Sequence, residues 1–169
     1  MIDSFQNEVV TSFPTILEVT FKPIEKSYLR VVLFNTILVF IGVSTVAFFI
    51  DYKALFELGS HSFWIYIINT FIFSAIFFIK IIGFKKRKYG VREKDISYKK
   101  GLFFKKMTTV PFNRIQHIEI DQGPVSRFFN LVSLSVFTAG DSSDDLKISG
   151  LLKEEAAQIK EYISNKIDG

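Results

Sequence analysis

Residues 31–50 form a run of twenty without a charge, and after a short connection residues 62–79 form a second run of eighteen. An α-helix rises about 1.5 Å per residue, so each run reaches roughly across the 30 Å hydrocarbon core of a bilayer. Surface helices of soluble domains carry a polar stripe at helical period, and neither run has one. The two runs therefore read as a transmembrane hairpin and not as buried core helices. Gly59, Ser60 and His61 extend the second run upstream, which predicts helices over about 31–50 and 60–82 within a membrane segment of 31–84. A cleaved signal peptide fits poorly, because about thirty mixed polar residues precede the first run and no Ala-x-Ala-like site follows it.

Lysine and arginine flanking a span favour the cytoplasmic side. Lys22, Lys26 and Arg30 precede the first run, only Lys53 is basic in the connection 51–58, and Lys80, Lys85, Lys86, Arg87 and Lys88 follow the second. Both termini are expected in the cytoplasm, in a multi-pass protein of the plasma (inner) membrane. The two runs hold no acidic or basic side chain, which disfavours a channel or carrier. Asn69 falls level with Val43, between Gly42 and Ser44, so Gly42, Ser44 and Asn69 are expected to form a helix–helix contact. Residues 1–30, with Pro14 and Pro23, read as an irregular cytoplasmic arm. Its Phe5, Phe13, Phe21 and Tyr28 either pack on the soluble domain or lie at the membrane surface.

From Tyr89 onward short strand-like runs alternate with turn residues. Residues 95–99 and 102–107 read as a hairpin joined at Lys100-Gly101. Residues 115–122 alternate Ile118 and Ile120 against His117, Glu119 and Asp121, and Gly123-Pro124 then breaks the chain. Residues 131–138 alternate Val132, Leu134 and Val136 against Ser133 and Ser135, and 146–149 form a last short strand; 125–130 stay unassigned. Leu152, Ala156, Ile159, Ile163 and Ile167 then share one face of an amphipathic helix. The fold class is α+β, with residues 85–169 folding as antiparallel strands in a bent sheet or small barrel capped by a C-terminal helix.

Little in this chain suits catalysis. It has no Cys and two His, and it lacks the common phosphate-binding, nucleophile-elbow and zinc-hydrolase motifs. No enzyme activity, catalytic residue, cofactor or metal is expected. His117 reads as a solvent-facing strand residue. Asp141, Ser142, Ser143, Asp144 and Asp145 read as a solvated turn, because the terminal Glu of a calcium loop is missing.

What the sequence offers instead is positive charge. Residues 85–106 carry ten Lys/Arg against Glu93 and Asp95, beginning where the second span ends. Such clusters attract anionic lipid, at about 1 kcal/mol per basic residue near the surface. The candidate lipid or partner surface is Lys85, Lys86, Arg87, Lys88, Lys99, Lys100, Phe103, Phe104, Lys105 and Lys106. The first four also satisfy the positive-inside rule and need no further role. The others bracket Leu102-Phe103-Phe104, as suits a tip that dips aromatics between headgroups, although edge lysines equally prevent aggregation. Nucleic acid is not expected as a partner, because a domain tethered this close to the bilayer meets lipid first.

Gly101-Leu102, the run from Val110 to Gln116, the run from Asp121 to Phe129, Phe137-Thr138-Ala139-Gly140 and Ala156-Ala157 together resemble the bacterial pleckstrin-homology domain of the YdbS-like membrane proteins. The resemblance covers about 84–167 and, through the helix pair, most of the chain. It implies a pleckstrin-homology (PH)-like fold, a membrane location, cytoplasmic ends and no established catalytic residues. It also implies a possible structural partnership with a larger related multi-PH membrane protein. Where the family shows Gly after the Arg-Phe aromatic pair, this chain has Asn130, the usual substitute where a positive φ is wanted. Two functions follow: a non-enzymatic membrane protein whose basic domain binds anionic lipid or protein at the inner leaflet, or a structural subunit of a membrane complex.

Overall fold

The computed structural model describes residues 20–53, 62–139 and 146–167. Two long helices dominate the first half: α1, Tyr28–Tyr52, and α2, Ser62–Phe84. At 25 and 23 residues they extend about 37 and 35 Å, enough to cross a bilayer. A core helix of a soluble protein would be largely buried, yet only 11% of the apolar window of α1 and 0% of that of α2 is covered by protein. Phe34, Ile41, Phe48, Phe71 and Phe78 all face outward.

The helices meet along a narrow seam. Phe40 and Phe73 pack with ring centroids 5.1 Å apart, and Asn69 Nδ2 donates to Ser44 Oγ at 2.9 Å. The hydroxyls of Thr36 and Thr45 donate to the carbonyls of Val32 and Ile41 at 2.8 Å, so α1 satisfies them internally. A Cβ on Gly42 would meet nothing within 4 Å, so this glycine does not mark a close approach of the two backbones.

Two antiparallel sheets follow. The first has the order β1 (Lys22–Pro23), β2 (Lys88–Val91), β3 (Asp95–Lys100), β4 (Lys106–Pro111); the second has β5 (Ile115–Asp121), β6 (Leu131–Thr138), β7 (Leu146–Leu152). They do not close into a barrel; the arrangement is the bent-sheet alternative. A 3-10 turn, Phe112–Arg114, leads from one sheet to the other, and a short helix α3, Pro124–Phe128, links β5 to β6. The last helix α4, Lys153–Ile167, packs Ala156 and Ile163, both fully buried, against β5, β6 and β7. Ile96, Leu134, Val136, Ile148 and Leu151 complete the core.

The helical hairpin is an insertion within the first sheet. β1 precedes α1 and pairs with β2, which follows α2, through Lys22 opposite Tyr89 and Pro23 opposite Lys88. Ile24, just beyond β1, is 3% exposed and belongs to the same core as Phe84 at the end of α2. Residues 22–30 are therefore structural and not part of an irregular arm; Phe5 and Phe13 lie outside the described residues. A second connection joins α1 to β7. The register of β6 against β7 shifts between Val132 and Ser133, which leaves Gly150 as an extra residue at φ +89°. Its carbonyl accepts the Glu25 N–H at 2.9 Å, and Tyr28 of α1 lies against its Cα.

Several strand limits differ from the sequence reading. The expected hairpin strands 95–99 and 102–107 become β3 and β4 with Lys100 opposite Lys106, which leaves 101–105 as the tip. Gly101 turns the chain there at φ +109°, a conformation that L side chains rarely adopt. The alternation in β6 is also incomplete: Ser135 is 1% exposed, because the middle strand of the sheet is covered on both faces. On α4 the expected apolar face is buried only in its middle, since Leu152 and Ile167 at its ends are about two-fifths exposed. Asn130 adopts φ +53°, the positive value that the substitution for Gly suggested.

Candidate functional site at the helix–sheet junction

The tip of the β3–β4 hairpin folds back onto the last turns of α2. A Cβ on Gly83 would lie 3.9 Å from the Leu102 Cβ, so half-buried Leu102 anchors the tip beside the helix. Phe103 and Phe104 are left 74% and 92% exposed beside it. Between tip and helix runs a crevice of about 530 Å³, lined by Ile79, Lys80, Gly83 and Arg87 on one side and by Lys100, Gly101, Leu102, Phe103, Phe104 and Lys106 on the other. Ile79 lies five residues before the end of α2, so the crevice reaches about 7.5 Å along the helix from its end.

The sheet divides the basic residues between two faces. Lys88 lies opposite Lys99 on one face, and Lys100 lies opposite Lys106 on the other. Like charges directly across a ladder destabilise it, and an anion bound on either face would relieve the pair there. Lys99 Nζ sits 5.9 Å from the Phe21 ring centroid and Lys100 Nζ 5.8 Å from that of Tyr98, within cation–π range. Only Lys100 and Lys106 of the four hairpin lysines line the crevice. Lys105 is exposed at the tip, and Lys85 and Lys86 are exposed in the turn after α2. Arg87 is half-buried beneath the sheet. It lowers the Tyr98 phenol pKa, but burial, aided by Tyr28, outweighs it and pushes that phenol above its ordinary value.

Lys80 is the functional candidate that the sequence reading left out of its site. It stood at the edge of an apolar run and counted only as a flanking charge. Its place at the end of the apolar run, close before the basic cluster that begins at Lys85, was the signal that it joins that cluster. A second crevice, of about 410 Å³, descends from these same two residues between α1 and α2.

The remaining polar groups are accounted for locally. His117 stacks on Phe137 at 4.3 Å and lies 3.5 Å from Glu119, exposed on the strand as expected. Tyr89 donates to Glu155, which also pairs with Lys22; burial first and then this carboxylate raise the Tyr89 pKa well above its usual range. Among the described residues no group of acidic and histidine side chains is placed to hold a metal. The aspartates 141, 144 and 145 lie outside the described residues.

The family model described as Bacterial PH domain matches residues 29–167. The chain belongs to this bacterial PH domain family. The matched region includes most of α1, all of α2 and every strand except β1, so the PH domain and helix pair go together. The chain is 31% identical over 90 residues to the UPF0699 transmembrane protein YdbS of Bacillus subtilis (strain 168), covering 53% of this chain and 55% of that protein. It is also 31% identical over 87 residues to the UPF0699 transmembrane protein YdbT of the same strain, covering 51% of this chain and 18% of that one. The match thus spans about half of one relative and under a fifth of the other. Among solved structures, a DUF1696 family protein with a pleckstrin-homology domain from Shewanella loihica PV-4 is similar at 20% identity, with a TM-score of 0.37 over 48% of this chain and 70% of that one. With its two uncovered apolar helices and transmembrane relatives, this is a membrane protein with a PH-like domain.

Proposed function

We propose that the protein is a non-enzymatic, multi-pass protein of the plasma membrane with both termini in the cytoplasm, whose PH domain binds anionic lipid at the inner leaflet. The observation that carries this reading is the tip packed on the last turns of α2, with exposed Phe103 and Phe104 beside Lys100, Lys105 and Lys106. Pairing of β1 with β2 supports the topology, since residues 22 and 89 must lie on the same side of the bilayer. Basic flanks then favour the cytoplasm for that side. The exposed lysines supply attraction to anionic headgroups and the aromatics supply insertion.

The native chain has no cysteine, so a single probe can be placed cleanly. Phe104→Cys labelled with bimane, in nanodiscs, should report a more apolar setting when phosphatidylglycerol is included than in phosphatidylcholine alone. High salt should weaken the difference, as screening shortens to a few ångströms. A probe indifferent to lipid charge at low salt would sink the lipid reading.

A second reading, a structural subunit alongside a larger related multi-PH protein, draws on the two Bacillus relatives. The matched segment occupies 55% of one and 18% of the other, so related domains occur in transmembrane proteins of very different length. A stoichiometric larger protein recovered in a pulldown from mild detergent would favour it over autonomous lipid binding.

A further inference from the structure

We infer that Lys80 and Arg87 form a site for the phosphate of one anionic phospholipid, which lies edgewise between α1 and α2 and not merely beneath the domain. The inference rests on the lipid reading above, but it names a different place and a fixed stoichiometry.

Lys80 sits four residues inside the end of α2, between Ile79 and Ile81. A charge in an apolar span is costly unless something answers it. No carboxylate pairs with Lys80 or Arg87 among the described residues, and neither crevice is lined by an acid. Helical turns continue past the end of α2, with Lys86 N–H bonded to the Gly83 carbonyl at 3.2 Å and Arg87 N–H to the Phe84 carbonyl at 3.0 Å. Arg87 lines both crevices together with Lys80, so two long cationic side chains face the same space and can close on one phosphate.

The crevice below these cations has the shape such a ligand needs. It is walled by Val32, Asn35, Thr36 and Val39 of α1 and by Phe73 and Ile76 of α2, and its 410 Å³ falls within the range of about 300 to 1,000 Å³ usual for ligand sites. Cations at the headgroup end, then Asn35 and the internally bonded Thr36, and the apolar Val39 and Phe73 beyond them suit a phosphodiester with its ester groups and an acyl chain. Free phosphate would use only the upper end. The hairpin crevice shares Lys80 and Arg87, so the lipid would also lie beside Phe103.

The test uses the full chain in mild detergent, with native mass spectrometry to count dioleoyl phosphatidylglycerol or dioleoyl phosphatidylcholine retained. The wild-type chain should keep one phosphatidylglycerol in preference to phosphatidylcholine. Lys80→Gln combined with Arg87→Gln should lower that retention by about tenfold or more, whereas Lys80→Arg with Arg87→Lys should keep it, which separates charge from misfolding. Ile76→Trp, filling the trough, should lower it with the cations intact. Lys153→Gln with Lys160→Gln, on α4, should leave the retained lipid unchanged. Equal retention by wild type and the Gln pair, or displacement of the lipid by excess inorganic phosphate alone, would overturn the site. The bimane response at position 104 reads the surface interaction separately, so either idea can fail while the other stands.

Discussion

Gly150→Ala should loosen the seat of α1 on the sheet domain. At φ +89° an alanine carries a conformational cost of about 1 to 2 kcal/mol. Its Cβ would also lie 2.5 Å from Tyr28 Cγ and 2.7 Å from Tyr28 Cβ. Those atoms are the root of the ring, fixed by the first turn of α1, so the clash is not relieved by turning a flexible tip. Forcing an extra methyl into a packed site typically adds about 1 to 3 kcal/mol. The total expected loss is about 2 to 5 kcal/mol. Urea unfolding in mild detergent, followed by the β-sheet circular dichroism signal, measures it. The decisive comparison is the same substitution in a Tyr28→Ala background, where only the φ cost of about 1 to 2 kcal/mol should remain. Equal losses in both backgrounds would refute the contact, and a loss in the wild-type background below about 1 kcal/mol would refute the strained bulge as well.

Three further outcomes follow from the same geometry. Asn69→Leu removes the bond to Ser44, whose hydroxyl can turn back to its own helix, and should weaken association of α1 with α2 by about 1 kcal/mol in a detergent unfolding assay; no change or a gain would place the amide elsewhere. Cysteine at Lys53 should react with an impermeant thiol reagent in intact cells, and cysteine at Lys160 on α4 only after lysis; the reverse pattern would contradict the topology. Tyr89 and Tyr98 hold their protons more tightly folded than unfolded, so their contribution is fully present below the ordinary phenol value of 10.0 and declines as pH rises above it. Tyr89→Phe should flatten that alkaline decline in stability, and an unaltered slope would discount Tyr89.

The sequence made the helix pair and most strands legible because uncharged runs of bilayer length and period-two alternation are local signals. Asn69 and Ser44 could be matched by counting turns from a shared end. β1 could not, because a two-residue edge strand has no periodicity and Pro23 argued against one. Its partner lies 67 positions away, Lys22 against Tyr89, and only the folded sheet brings them together. The hairpin lysines were identified as a cluster, but the split of Lys99 from Lys100 and Lys106 depends on which face of β3 looks toward α2. A fragment starting at Lys85 would lose β1 and, from the folded core, Ile24 and Phe84, so lipid binding is better measured on the whole chain.

The placement of the helical hairpin between β1 and β2 bears on how the protein is made. Lys22 is synthesised before both apolar helices and its partner Tyr89 after them. A chain that inserted one helix and stranded the other would have its two strands on opposite sides of the bilayer, where no ladder can form. Ile24 would then lack its place in the core, and the edge of β2 would stay open to proteases and to other unpaired strands. Only a chain with both helices threaded can complete this two-residue ladder.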